Sequence, residues 1–134
     1  MSIFGAIGIA STGLTVHRKW LDAVSDNLAN MNNATATSET AYQAKYVVAQ
    51  ANGAATEPGG VSVTGIALGD AAGRVVYEPA NPLADAEGNV RYPDVDMASQ
   101  MTQLIMAQRG YQANAAVVDR AKETYMAALQ IGRN

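Results

Sequence analysis

Residues 97–118 read MASQMTQLIMAQRGYQANAAVV, and this stretch decides the fold. Its apolar side chains recur at three- and four-residue steps, which place them on one face of an α-helix. The opposite face carries neutral serine, threonine, glutamine and asparagine side chains, and Arg109 is the only ionised residue of the stretch. A long helix with one face in water normally carries charges on that face. We therefore expect this helix to be contacted on more than one side by other subunits.

The C-terminal helix is expected to occupy residues 94–134. Asp94 is the expected N-cap, Asp96 adds favourable charge to the first turn, and Gly132 is a natural stop. Gly110 allows close approach by a neighbour. The packing face of this helix is expected to consist of Met101, Leu104, Tyr111, Val118, Tyr125 and Leu129.

A second helix is expected within residues 1–34. Apolar residues recur there at alternating four- and three-residue steps from Ile3 to Met31, which is a heptad seam broken only by His17. We expect the large seam residues to pack on the C-terminal helix. These residues are Leu14, Leu21, Val24 and Leu28.

Four amide side chains on the two helices are candidates for polar contacts that fix the register between subunits. Buried amides have this effect in coiled coils. The candidates are Asn27 and Asn30 in the first helix and Gln112 and Asn114 in the second.

Residues 35–93 are predicted to form a small β-rich module with loops. Short runs of β-branched and aromatic residues alternate there with turn residues, and the apolar phase shifts at Gly65, which predicts a β-bulge. The fold class is therefore α+β, with long terminal helices packing as a coiled-coil-like pair around a small middle module. The candidate strands are residues 46–48, 61–68, 74–77 and 90–92.

Alanine dominates the apolar content of the chain. The sequence is 49% hydrophobic, but 26 of its 134 residues are alanine. A methyl group buries far less area than a leucine side chain, so the core of a monomer would be thin for this length. We interpret alanine as a spacer that lets helices approach, in a subunit whose core is completed by other subunits.

The composition and motifs argue against several classes of function. The absence of cysteine excludes disulfides, thiolate metal sites and a cysteine nucleophile. No catalytic, metal-binding or cofactor-binding constellation stands out, so we expect no enzyme activity, metal or cofactor. We interpret His17 as a boundary residue that bonds a neighbour. No basic cluster or long apolar run predicts nucleic-acid binding or a membrane span.

Several stretches resemble signatures of the bacterial flagellar rod and hook protein family. Two lie in the first helix, two lie in the second, and the middle stretches look like those of the proximal-rod members. The short length also fits a proximal-rod subunit. The matching stretches are residues 11–14, 21–30, 60–66, 76–85, 88–96, 101–114 and 128–133.

The resemblance implies a structural subunit of the proximal rod, which transmits torque and encloses the export channel. It implies export through the flagellar type III apparatus without signal-peptide cleavage, and a place in the basal body within the periplasm. The implied partners are copies of the chain, other proximal and distal rod proteins, and the adaptor and ring or export-gate components at the rod base. The terminal helices are expected around the channel and the β module further out.

Three other interpretations of the sequence are less consistent with its features. A peptidoglycan-remodelling enzyme of the same machinery would need a catalytic acid in a cleft, and no such constellation was found. A different rod subunit is disfavoured by the middle β motifs. An intramolecular helical hairpin explains the heptads but not the scarcity of charge in residues 97–118.

Overall fold

The structure, a computed structural model, describes residues 3–53 and 59–132. Within them the chain has α+β architecture, as the sequence predicts, with a long helix at each end and four strands between them. The elements in chain order are α1 (Ile3–Asn30), β1 (Lys45–Ala51), β2 (Val61–Leu68), β3 (Arg74–Tyr77), β4 (Asn89–Tyr92) and α2 (Met97–Ile131).

The N-cap of α2 is Asp96, so the prediction of Asp94 is wrong. The Asp96 carboxylate accepts a hydrogen bond from the Ser99 amide at 2.8 Å, which satisfies one of the donors left free in the first turn. The helix cannot begin earlier because Pro93 and Val95 are buried, which holds the preceding segment in the core. At the other end Gly132 is the C-cap, as predicted.

The two helices pack side by side and run antiparallel. Near the start of α1, the Phe4 ring lies edge-on to the Tyr125 ring, with 5.6 Å between centroids. Near the end of α1, Asn27 is hydrogen-bonded to Gln100 in the first turns of α2. The coiled-coil-like pair is therefore formed within one chain.

The strands form two separate antiparallel hairpins, β1–β2 and β3–β4. In the first hairpin Val48 pairs with Gly65 and the next residue, Ala49, pairs with Val63. Thr64 is therefore the extra residue of a β-bulge next to Gly65, which confirms the predicted irregularity.

The second hairpin is attached to the loop that follows α1. Thr35 and Arg91 exchange backbone hydrogen bonds at 2.8 and 2.9 Å, and the Arg91 guanidinium donates to the carbonyl oxygens of Thr37 and Ala72. One residue thus ties β4 to two loops.

The buried core is small and rich in alanine, in agreement with the composition. Alanine supplies five of its eight apolar residues, and two amides are buried among them. Neither described helix combines the length and hydropathy needed to cross a membrane. The buried hydrophobic residues of the described chain are Ala10, Ala23, Val24, Ala41, Ala44, Val90, Val95 and Ala107, and the buried amides are Asn27 and Gln100.

Candidate assembly interface

The face of α2 that contacts α1 is made of small and polar residues. Ala107 is fully buried, and Gln100 is 2% exposed. Gly110 and Asn114 continue the same face at helical spacing and lie directly against α1. The predicted row of large residues lies four residues on from Gln100, Ala107 and Asn114, so it flanks this face at about 40° around the helix.

Asn27 is completely buried and joins three parts of the chain. Its Oδ1 accepts hydrogen bonds from the Lys45 amide at 2.8 Å and the Tyr42 hydroxyl at 3.1 Å. Its Nδ2 donates to the Lys45 carbonyl and to Gln100 Oε1, each at 3.0 Å. Burial raises the pKa of Tyr42, which keeps the phenol protonated as a donor. All four bonding positions of the amide are used, so Asn27 makes its contacts within the chain.

His17 lies against Gly110, at the boundary between the two helices. A Cβ placed on Gly110 would overlap the imidazole ring, so the ring occupies the space that any other residue would fill. The ring is stacked on Trp20 at 6.0 Å between centroids, and the Trp20 indole donates to Gln103 Oε1 at 3.3 Å. His17 Nδ1 is buried without a hydrogen-bond partner among the described residues, so the expected bond to a neighbour is not made at that atom.

A second glycine contact lies one turn away. Here the glycine belongs to α1 and the side chain that packs against it belongs to α2. A Cβ placed on Gly13 would lie 2.6 Å from Asn114 Oδ1 and 2.8 Å from Asn114 Cγ. The Asn114 amide also donates to the Gly110 carbonyl at 2.9 Å, which fixes the side chain along its own helix. Sequence reasoning noted Gly110 as a place of close approach, but it did not find either side chain that fills these spaces.

The β1–β2 hairpin covers one side of α1. Thr12 Oγ1 accepts a hydrogen bond from the Val61 amide at 3.1 Å, and Val16 shares a cavity with Val47 of β1. Lys45 forms an ion pair with Asp26 at 2.7 Å, and hydrogen bonding to Asp26 raises the pKa of Lys45. Both partners are exposed, so this pair contributes little to stability.

The other side of the helix pair is open. Consecutive helix residues are rotated by about 100°, so the residue that follows each contact position points to one side of the pair. In an antiparallel pair, these following positions lie on the same side of both helices. Leu14 follows Gly13 on α1, and Tyr111 follows Gly110 on α2. We call this side the open face, and it consists of Leu14, Leu21, Leu28, Met101, Leu104, Tyr111, Val118 and Leu129.

The open face contains nearly all of the predicted packing residues. Met101 is 45% exposed and Tyr111 is 39% exposed, whereas the three leucines of α1 are half-buried. Val24 and Tyr125 are the exceptions, because Val24 is 1% exposed inside the chain and the Tyr125 ring contacts Phe4 of α1. Other large apolar side chains are exposed on further sides of α2, and they are Met97, Ile105, Met106 and Met126.

The four predicted register amides fall into different environments. Asn27 and Asn114 lie between α1 and α2 of the same chain. Asn30 donates to the Asp26 carbonyl of its own helix at 2.8 Å, and Gln112 is exposed. Among the described residues, Asn30 and Gln112 make no hydrogen bond to the other helix, whereas Asn27 and Asn114 are used within the helix pair.

The acidic residues of the middle module serve the turn between β3 and β4. Asp85 accepts hydrogen bonds from the Asn89 amide and the Thr37 hydroxyl, both at 2.8 Å. The backbone bond from Asn89 and the bond from Thr37 lower the pKa of Asp85, so it is an ionised turn residue. Among the described residues, no group of three or more histidine or acidic side chains is placed to hold a metal ion.

Comparisons with known proteins find flagellar rod proteins that are similar to this chain. Residues 86–131 match a family model described as the flagellar basal body rod FlgEFG protein C-terminal region. The chain is 39% identical over 136 residues to the flagellar basal-body rod protein FlgC of Escherichia coli O157:H7, with 99% of this chain and 100% of the relative covered. The same coverage holds for the FlgC proteins of Salmonella typhimurium at 37% identity and Bacillus subtilis at 32%.

Proposed function

The chain belongs to the FlgC family of flagellar basal-body rod proteins, and on this premise we propose that it is a structural subunit of the proximal rod. It assembles helically with other rod proteins into the drive shaft that transmits torque and encloses the export channel. The observation that carries this proposal is the open face, a row of large apolar side chains beside a helix pair that closes through small and polar residues. Met101, Tyr111 and Leu129 of this row are exposed, and the other members are half-buried.

The open face supports assembly because large apolar side chains stabilise a protein only when they are buried, and a monomer leaves part of this face in water. Large contiguous apolar patches on soluble proteins mark interaction sites. Met106 and Ile105 add exposed apolar area on other sides of α2, so the helix offers contacts to more than one neighbour. Contacts between different surfaces of successive copies do not close on themselves and generate a helical tube.

The predicted contact residues divide between two roles in this proposal. Val24, Asn27 and Asn114 hold the subunit together, since their contacts lie within the chain. The residues of the open face pack against neighbouring subunits. Asn30 and Gln112 supply polar contacts at that boundary.

The proposed setting is the basal body within the periplasm, reached through the flagellar type III apparatus without cleavage of the N-terminus. Phe4 packs on Tyr125, so removal of the first helical turn would remove a contact between the terminal helices. The partners are copies of the chain, other proximal and distal rod proteins, and the adaptor and ring or export-gate components at the rod base.

The role is architectural rather than enzymatic. The only histidine is packed between two helices, and Asp85 is committed to a turn. The His17 imidazole and the Asp85 carboxylate are therefore engaged in packing and hydrogen bonding within the fold, which supports an architectural role.

Leu21→Asp tests the proposal in a flagellated bacterium that lacks its own copy of the subunit. The charge falls on the open face, where contact with a neighbour would bury it without a partner. We expect loss of rod assembly and of swimming, with the variant still exported.

Ser11→Asp is the matched control, because Ser11 is exposed on the side of α1 that also carries Arg18 and Asp22. It adds the same charge to the same helix and should preserve swimming. Normal swimming with Leu21→Asp would refute the assignment of the open face.

A further inference from the structure

We propose that α1 and α2 are held in one register by a reciprocal clasp, in which His17 occupies the space at Gly110 and Asn114 occupies the space at Gly13. In each pair a polar side chain lies where the Cβ of any other residue would stand. The clasp determines which residues of the two helices come together on the open face.

The spacing of the four residues makes the clasp reciprocal. Gly13 and His17 are four residues apart on α1, and Gly110 and Asn114 are four residues apart on α2. Residues at this spacing lie on one face of a helix, one turn apart. Each helix therefore presents one glycine and one polar side chain, and the antiparallel arrangement fits each side chain to the glycine opposite.

The clasp permits a single register because α2 has one glycine. A slip of one heptad would place His17 opposite Gln103 or Val117 instead of Gly110. Either residue has a side chain in the space that the imidazole needs. Overpacking of a closely packed contact is destabilising by about 1–3 kcal/mol, so the slipped arrangements are disfavoured.

Close contact at these glycines is not a general property of α1. A Cβ placed on Gly8 of the same helix would meet no atom within 4 Å. The buried Nδ1 of His17 has no partner among the described residues. Packing the imidazole against Gly110 therefore leaves one hydrogen-bonding position of the ring unused. A polar group retained at such a cost is a known way of fixing register in helix pairs.

The consequence for assembly rests on the proposed function. Leu14 follows Gly13 and Tyr111 follows Gly110, so these two rows of the open face keep their relative positions only while the clasp is closed. A slipped pair would still expose apolar residues, but in a pattern that does not fit the neighbouring subunit.

Cysteine trapping reads the register directly, because the chain has no cysteine of its own. Phe4→Cys with Tyr125→Cys reports the observed register, since the two rings are in contact. Phe4→Cys with Val118→Cys reports a slip of one heptad. We expect a short bismaleimide, which spans a longer distance than a disulfide, to crosslink the first pair only in the purified full-length chain, and failure of the first pair to crosslink would overturn the register itself.

Gly110→Ala then tests the clasp in the background of the first cysteine pair. The added methyl group displaces the imidazole, so trapping should slow by about tenfold, a coupling within the range found for residues in contact. The double variant H17A/G110A should return to within about twofold of His17→Ala alone, because the smaller side chain vacates the space. Gly8→Ala is the matched control and should trap at the original rate.

Unchanged trapping in Gly110→Ala, or a double variant no better than Gly110→Ala, would overturn the clasp whatever the protein does in cells. Swimming is scored separately for the same variants without the cysteines. Gly110→Ala could slow trapping and yet leave swimming normal. That result would overturn the link between the clasp and assembly, and the proposed function would still stand. Loss of swimming in Gly110→Ala, recovered in H17A/G110A, supports both.

Discussion

Asn27 Nδ2 donates a hydrogen bond of 3.0 Å to Gln100 Oε1, and both side chains are buried between the two long helices. The same amide bonds to the backbone of Lys45 in both directions. One residue therefore connects α1 to α2 and to the start of β1. Removal of the Asn27 side chain should therefore destabilise the packing of all three elements.

Asn27→Ala should lower the free energy of unfolding by about 3 kcal/mol, because it leaves several buried groups without partners at about 1–3 kcal/mol each. Urea unfolding of the purified chain, followed by circular dichroism, measures the change. Asn30→Ala is the control, since the Asn30 side chain donates to a carbonyl of its own helix, and should cost less than about 0.5 kcal/mol. Equal costs for the two variants would contradict the role of Asn27.

Thr12 fastens β2 to α1, and Thr12→Val removes the acceptor while keeping the volume of the side chain. The Val61 amide loses its partner, so we expect its hydrogen exchange to accelerate and stability to fall by about 1 kcal/mol. Thr15→Val removes only an exposed bond to the Ser11 carbonyl and should leave Val61 protected. Unchanged exchange at Val61 in Thr12→Val would show that another contact holds the strand.

The turn between β3 and β4 should weaken in acid because of Asp85. Its hydrogen bonds from Asn89 and Thr37 hold the pKa of Asp85 below its ordinary value. A carboxyl group with a lowered folded-state pKa stabilises the fold above its unfolded value of about 3.9, and this contribution is lost as pH falls through the folded value.

Amide exchange at Asn89, measured across this acid range, is the readout for Asp85. Protection beyond the intrinsic pH effect should fall below about pH 4 in the wild-type chain. Asp85→Asn keeps an acceptor oxygen but cannot titrate, so its protection should not show this step. A step of the same size in Asp85→Asn would assign the effect to another group.

The sequence predicts the elements of this fold better than it predicts their contacts. Helical periodicity gives the two helices, and the phase shift at Gly65 gives the bulge in β2. The cap of α2 was misplaced because the burial of Val95, which holds the preceding segment extended, is a tertiary effect.

The contact face of α2 could not be obtained from periodicity alone. The row that contains Tyr111 is the most apolar, so it was expected to pack on α1. The closest contacts use Gly110 and Asn114, because their fit depends on His17 and Gly13 of the other helix. Periodicity identifies an apolar face, but it does not identify the neighbour that covers it.

A reconstruction of the intact basal body, with this chain supplying the subunit, tests the central claim most directly. We predict α1 and α2 in the antiparallel register described above, with Leu21 and Tyr111 of the open face buried against neighbouring rod subunits. A rod in which these side chains face solvent, or in which the subunit is absent from the shaft, would contradict the account.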